Sequence, residues 1–322
     1  MSPPRALDAP PRRTSPAWLR RAAVASLVVN IAIVVTGGVV RLTGSGLGCP
    51  TWPRCTEESF RPHGAMTIHT AIEFGNRMVT FLIAAVAIAT LVAVWRSSRR
   101  DLRLPAVVLA VGVPAQAALG GVTVLTGLNP WTVSMHLVVS MVMICVAVLL
   151  VRSVVVGSPA DRAEPLVAAD AVVAPTVGTV VERLSVAVFV VGWAVLYLGT
   201  VVTGSGPHAG DADAPRNGLD PRSVSQLHTD AVFLLLGLLV AVVVAVRSLD
   251  RTLEVVRAAR ILLVVVLAQG TVGFVQYFTD LPVVLVAIHL LGAALFAAAM
   301  TWLLLAARDR TVPSRSAAPS PL

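Results

Sequence analysis

QAALGGVTVLTGLNPWTVSMH, residues 116–136, and QGTVGFVQYFTDLPVVLVAIH, residues 269–289, decide the fold. Each opens on a glutamine, Gln116 or Gln269, and closes twenty residues later on a histidine, His136 or His289. Each carries a proline shortly before that histidine, Pro130 or Pro282. Proline lacks an N–H and suits the first turn of a helix. Each stretch therefore reads as the end of one apolar helix, a turn, and the start of the next. The two copies are 153 residues apart, so the chain contains this hairpin twice.

Outward from these hairpins the chain is apolar. Of its 322 residues 56% are apolar and only 13% charged. Eight runs approach or exceed the length of about 20 residues that crosses a bilayer core. They are Ala22–Val40, Met78–Trp95, Leu104–Leu125, Thr132–Val151, Val186–Val202, Leu227–Val246, Ile261–Phe278 and Val283–Ala306. Unpaired strand backbone is excluded from lipid, so the spans are expected to be helices. The first run follows an arginine-bearing tail and invites reading as a signal peptide. No small-residue cleavage site follows it, and Arg41-Leu42-Thr43-Gly44 does, which favours a retained span.

A net charge of +8 invites nucleic acid as a partner, but the distribution argues against it. All 25 basic residues are arginine, and only six fall in or beside the odd-to-even connections: Arg41, Arg54, Arg61, Arg77, Arg216 and Arg222. That asymmetry is the positive-inside bias of a protein seated in a bilayer. It predicts a multi-pass protein of the cell membrane with both termini cytoplasmic, and eight spans satisfy the parity.

The repeat extends beyond the hairpins. Thr43-Gly44-Ser45-Gly46 recurs as Thr203-Gly204-Ser205-Gly206, an offset of 160, and His69 matches His228 at 159. Each half holds four spans, so both halves enter the membrane in the same sense and relate by an axis along its normal. The expected fold is an all-α integral membrane protein of two tandem four-helix bundles with a pseudo-two-fold axis. Expected boundaries are a tail over 1–21, a first half over 22–151, a linker over 152–185, a second half over 186–306 and a tail over 307–322.

Four histidines at repeated positions, His69, His136, His228 and His289, are costly in or beside lipid-facing helices unless used. At about 1.5 Å per residue, His136 and His289 sit roughly 10 Å inside their helix starts, at the same face as His69 and His228. Two imidazoles from two helices of a bundle suit a haem or metal. The alternative is hydrogen-bonded packing. Zinc or a di-iron centre would need more acidic or thiol ligands than the spans supply. His63 and His208 fall in loops and read as surface residues.

The halves differ around the first histidine. His69, Glu73 and Asn76 share one helical face at i, i+4 and i+7, with Arg77 beside them. The matching positions in the second half are His228, Val232 and Leu235. Glu73 reads either as a structural ion pair with Arg77 or as a carboxylate that handles a proton or stabilises developing charge. Arg41 could fork onto a carboxylate such as a propionate, or simply sit at the interface. Cys49 and Cys55 lie in the first loop between spans, where a disulfide is expected outside the cytoplasm; redox-cycled thiols are the alternative. Cys145, in the fourth span, reads as packing.

At these residues the chain resembles the heme A synthase family. The stretch from Gly37 to Cys55, GGVVRLTGSGLGCPTWPRC, is similar to that family's first-loop motif, and Glu73-Phe74-Gly75-Asn76-Arg77 to its glutamate motif. The resemblance implies an oxidoreductase that converts the C8 methyl of haem O to a formyl group, giving haem A for terminal oxidases with water as oxygen source. It implies haem B held by His228 and His289, and substrate haem O near His136, His69, Arg41 and Asn76 with Glu73 catalytic. Many members carry a histidine where this chain has Asn76, so His69 becomes the substitute ligand. A haem O synthase upstream and a membrane quinone as electron acceptor are the implied partners. A di-haem b-type carrier that leaves haem unaltered is the main rival, and a transporter built of parallel repeats a weaker one.

Overall fold

A computed structural model of the chain describes residues 16–62, 67–156, 175–248 and 253–308. Residues 1–15 and 309–322 of the expected tails, 157–174 of the expected linker and His63 lie outside the described residues, whereas 17–21 and 307–308 belong to the first and last helices. Eight long helices account for nearly all the rest: α1 Ala17–Leu42, α2 Ile68–Arg96, α3 Arg103–Leu125, α4 Pro130–Val156, α5 Pro175–Ser205, α6 Pro221–Ser248, α7 Leu253–Phe278 and α8 Val283–Arg308. A 3-10 turn, Arg100–Leu102, leads into α3. All eight are long and apolar enough to cross a membrane. The chain is a multi-pass membrane protein.

Several helices outrun their apolar runs. Helix α2 begins at Ile68, ten residues before Met78, because Thr67 caps it by accepting the Thr70 N–H at 3.1 Å. Its first turns therefore carry His69, Glu73, Asn76 and Arg77 as helical residues, although their polarity hides them from a hydropathy reading. Helix α6 starts at Pro221, where Asp220 accepts the Ser223 N–H at 2.8 Å. Helix α5 starts at Pro175, inside the stretch expected to be linker.

The opening hairpins fold alike. Leu128 N–H donates to the Thr123 carbonyl at 2.8 Å, and Leu281 N–H to the Gln276 carbonyl at 2.8 Å. In each turn two consecutive residues take positive φ, Gly127 and Leu128 (61° and 58°) or Asp280 and Leu281 (58° and 57°). This left-handed closure satisfies carbonyls at the end of one helix and aims the chain into the next. Gln116 then donates its side-chain N–H to the His136 carbonyl at 3.1 Å, and Gln269 to the His289 carbonyl at 2.8 Å.

In each half the helices pack as a ring. Helix α1 meets α2 and α4, and α3 meets α2 and α4; α5 meets α6 and α8, and α7 meets α6 and α8. The halves join through α1–α8, α4–α5 and α4–α8. Exchanging α1–α4 for α5–α8 leaves this scheme unchanged. Small residues let the helices close at the joint: a Cβ on Gly38 of α1 would stand 2.2 Å from Leu290 of α8. Towards the opposite membrane face, Arg152 of α4 pairs with Glu254 of α7 at 2.8 Å.

Candidate functional site

Glu73 lies one turn beyond His69 on α2 and is buried, 4% exposed. Its Oε2 accepts the Cys49 N–H at 2.6 Å and its Oε1 accepts Arg77 Nη2 at 2.6 Å. The same Nη2 also reaches the Cys49 carbonyl at 2.8 Å, and Nη1 reaches the Thr51 and Arg54 carbonyls, both at 3.1 Å. Arg77 therefore does more than form the anticipated ion pair. It fastens the loop after α1 onto α2, with Glu73 between them. Cys49 and Cys55 are joined by a disulfide and fully buried, closing the segment whose carbonyls Arg77 holds. Trp52 of the same segment lies against α3, where a Cβ on Gly121 would meet its indole at 2.4 Å. A charged pair this deep persists when its hydrogen bonds are satisfied, as here.

His69 is held differently from its repeat partner. Its Nδ1 is 3.0 Å from Ser45 Oγ, which in turn is 2.7 Å from Thr43 Oγ1. In the second copy of the Thr-Gly-Ser-Gly motif, Ser205 Oγ donates to the Val202 carbonyl within α5 instead. The difference is where the helix stops. Helix α1 ends at Leu42 and turns at Gly44 with φ of 65°, whereas α5 runs on through Ser205. The repeated motif was visible in the sequence; its role as a histidine partner in one copy was not.

His136, His228 and His289 point into their bundles. Each has an Nδ1 that is buried without a partner in the chain. Each faces a glycine on a neighbouring helix. A Cβ would approach Cε1 to 3.3 Å at Gly120 for His136, 3.3 Å at Gly199 for His228 and 3.6 Å at Gly273 for His289. His228 and His289 lie within coulombic range of each other, and His228 also meets the Val195 carbonyl. Two neighbouring imidazoles, each with a buried Nδ1 that has no partner and a glycine against its edge, are a donor pair that could hold a haem. Among the described residues no three His, Cys, Asp or Glu side chains gather as a cage for a bare ion. In the first half Asn76 Oδ1 on α2 and Gln116 Oε1 on α3 are likewise buried without partners.

The two halves meet at this face. Arg41 Nε donates to the His208 carbonyl at 2.7 Å and Nη2 to the Thr203 carbonyl at 2.9 Å. Gly46 N–H donates to the Gly210 carbonyl at 2.8 Å. The loop between α5 and α6 is thereby docked on the first half, with Ala209 and Ala214 buried around Leu128. His208, expected at the surface, is half-buried; burial and the nearby Arg41 and Arg216 hold its imidazole below the usual range. Leu47, Gly48, His69 and Thr70 of the first half and Asp211 and Ala212 of the second line a cleft of about 490 Å³.

Comparison with known proteins adds the family context. The COX15-CtaA family model, described as cytochrome oxidase assembly protein, matches residues 20–216, from α1 to the docked loop. A heme A synthase of Bacillus licheniformis is 23% identical over 305 residues, covering 91% of this chain and 97% of that protein. Heme A synthases of Lysinibacillus sphaericus and Halalkalibacterium halodurans match shorter stretches. The former is 29% identical across 41% of this chain and 44% of its own length, the latter 30% identical across 37% and 41%.

Proposed function

Because the chain belongs to the COX15-CtaA family of cytochrome oxidase assembly proteins, we propose that it is a heme A synthase, an oxidoreductase that turns the C8 methyl of haem O into a formyl group. The observation that carries this reading is Glu73, a buried carboxylate clamped by Cys49 and Arg77 in one half only. The second half has Val232 at the matching position. A carrier needing two like haem sites has no use for that difference.

The balance is R–CH3 + H2O → R–CHO + 4 H⁺ + 4 e⁻. Two bilayer quinones, each taking two electrons and two protons, complete it as the proposed acceptors. Substrate haem O binds in the first half near His136, His69 and Asn76. Glu73, fixed by two donors, stabilises positive charge developing at the methyl carbon and receives protons released there. Arg41 would reach a propionate only with donors that the Thr203 and His208 carbonyls leave free. In the second half His228 and His289 hold haem B, which supplies one-electron transfer when bound. Gln269 orients the latter helix segment through the His289 carbonyl. The unchanged packing scheme under exchange of the halves supports a pseudo-two-fold axis along the membrane normal. The arginine distribution supports cytoplasmic termini in the cell membrane, and a haem O synthase is the proposed upstream partner.

The test is pigment extraction from cells expressing this protein together with a haem O synthase. Haem A in the extract is expected. Unaltered haem O with a low-spin b-type spectrum would overturn the enzyme in favour of a di-haem carrier.

A further inference from the structure

Oxidising a methyl group with water requires water to arrive at Glu73 and protons to leave it. Glu73 is sealed on its own side of the loop by the peptide it bonds. Its Oε2 takes the Cys49 N–H, and the Gly48 N–H donates back to the Ser45 carbonyl at 3.1 Å. Gly48 is at the same time part of the wall of the cleft beside His69. One stretch of backbone, Gly48–Cys49, therefore separates the carboxylate from that cleft. The wall is thin by construction: a Cβ on Gly48 would stand 2.6 Å from the His69 carbonyl oxygen, so no side chain fits there.

The facing wall comes from the other half of the molecule. Asp211 and Ala212 follow Gly210, whose carbonyl accepts the Gly46 N–H at 2.8 Å. Gly210 has φ of 106°, a conformation open to glycine, and a Cβ there would lie 3.1 Å from Leu128. Arg41 ties the preceding turn down through the His208 and Thr203 carbonyls. Both loops are thus fixed, and the cleft lies between them at the helix ends.

We propose that this cleft is the water and proton port of Glu73, built jointly by the two halves, with Arg41 as the positioning residue that holds its second-half wall. The inference rests on the heme A synthase reading. It adds that the second half contributes residues to the first half's reaction. Each turnover draws one net water through the port and releases four protons by it, while the four electrons pass to quinone, which takes its protons at its own site.

Two measurements on the full-length, haem-loaded protein test it. In Ala212→Cys, alkylation with N-benzylmaleimide after purification fills the cleft without refolding the chain. Haem A turnover is expected to fall at least tenfold against the unlabelled variant, with the bound-haem spectrum unchanged. Wild-type protein treated alike controls for Cys145. Unchanged turnover overturns the port. The second measurement needs no turnover: hydrogen exchange of the Cys49 amide, followed by mass spectrometry, is expected to slow at least tenfold in Ala212→Phe. A misfolded variant would exchange faster, so an unchanged or faster rate overturns the port. Slowed exchange in a protein whose wild type makes no haem A would sustain the port and sink the heme A synthase reading.

Discussion

The backbone N–H of Cys49 donates to Oε2 of Glu73 at 2.6 Å, so a disulfide-bonded residue of the loop holds the buried carboxylate of the helix. The disulfide thereby bears on the carboxylate through the loop backbone alone. It fixes the segment that fixes the carboxylate.

Replacing both Cys49 and Cys55 by serine should loosen that segment. A hydrogen bond to a charged group contributes about 1.5–3 kcal/mol, which corresponds to roughly a tenfold to hundredfold fall in haem A yield. Pigment extraction measures the yield. Haem B content of the purified variant should be unaltered, because His228 and His289 lie in the other half.

Arg77→Lys and Arg77→Gln should separate charge from geometry. Lysine keeps a positive charge near Glu73 but cannot fork onto the Cys49, Thr51 and Arg54 carbonyls. Glutamine leaves Glu73 without its counter-charge, and breaking a buried pair in this way costs about 3 kcal/mol. Thermal denaturation in detergent should rank wild type above Arg77→Lys and Arg77→Gln lowest.

The glycines beside the histidines give a graded pair. Alanine at Gly199 would bring a Cβ to 3.3 Å of His228 Cε1, tighter than side chains normally accept, whereas at Gly273 it would stand an ordinary 3.6 Å from His289. Gly199→Ala should displace the His228 ring and weaken the low-spin b-type spectrum. Gly273→Ala should leave it nearly intact. Equal loss in both variants would count against the second-half haem site.

Gln116→Leu and Gln269→Leu each delete one side-chain bond to the carbonyl of a histidine. Each should cost about 1 kcal/mol of local stability. The effect should appear as selective loss: Gln269→Leu releases haem B more readily on detergent washing, and Gln116→Leu lowers retention of haem O only.

Acidification should undock the loop after α5. The imidazole of His208 is held below its ordinary range by burial and by Arg41 and Arg216. The folded loop thus favours neutral His208, and docking strengthens as pH rises through the usual histidine range and weakens below it. Protonation places a third positive charge beside two arginines. Protection of the Gly46 amide, its exchange rate taken relative to the intrinsic rate at each pH, should fall as pH drops below about 6.5, the unperturbed histidine value, because its bond to Gly210 loosens. His208→Gln should remove that dependence.

Most of the fold was legible because lipid demands long apolar helices, and the matched Gln–His hairpins revealed the duplication. Hydropathy alone marked α2 only from Met78, since His69, Glu73, Asn76 and Arg77 dilute it over the first turns, and it was their i, i+4 and i+7 spacing that put them on one helical face. The Glu73–Arg77 pairing was legible from i, i+4 spacing. The partners of that pair were hidden, because Arg77 bonds backbone carbonyls, and carbonyls leave no mark on a sequence. Arg41 posed the same difficulty at longer range: its partners, Thr203 and His208, lie more than 160 residues away. Ser45 and Ser205 occupy identical motifs, and only the point at which each helix ends decides which one reaches a histidine.

The placement of Asp211 and Ala212 also has a consequence for biogenesis. A chain inserted from its N-terminus completes α1–α4 first, yet the cleft beside His69 still lacks a wall. That wall arrives only after α5 has been inserted and the loop behind it has reached Arg41. The first four helices are therefore complete before the cleft beside His69 is, and a ribosome paused before residue 211 would leave that cleft without its second-half wall.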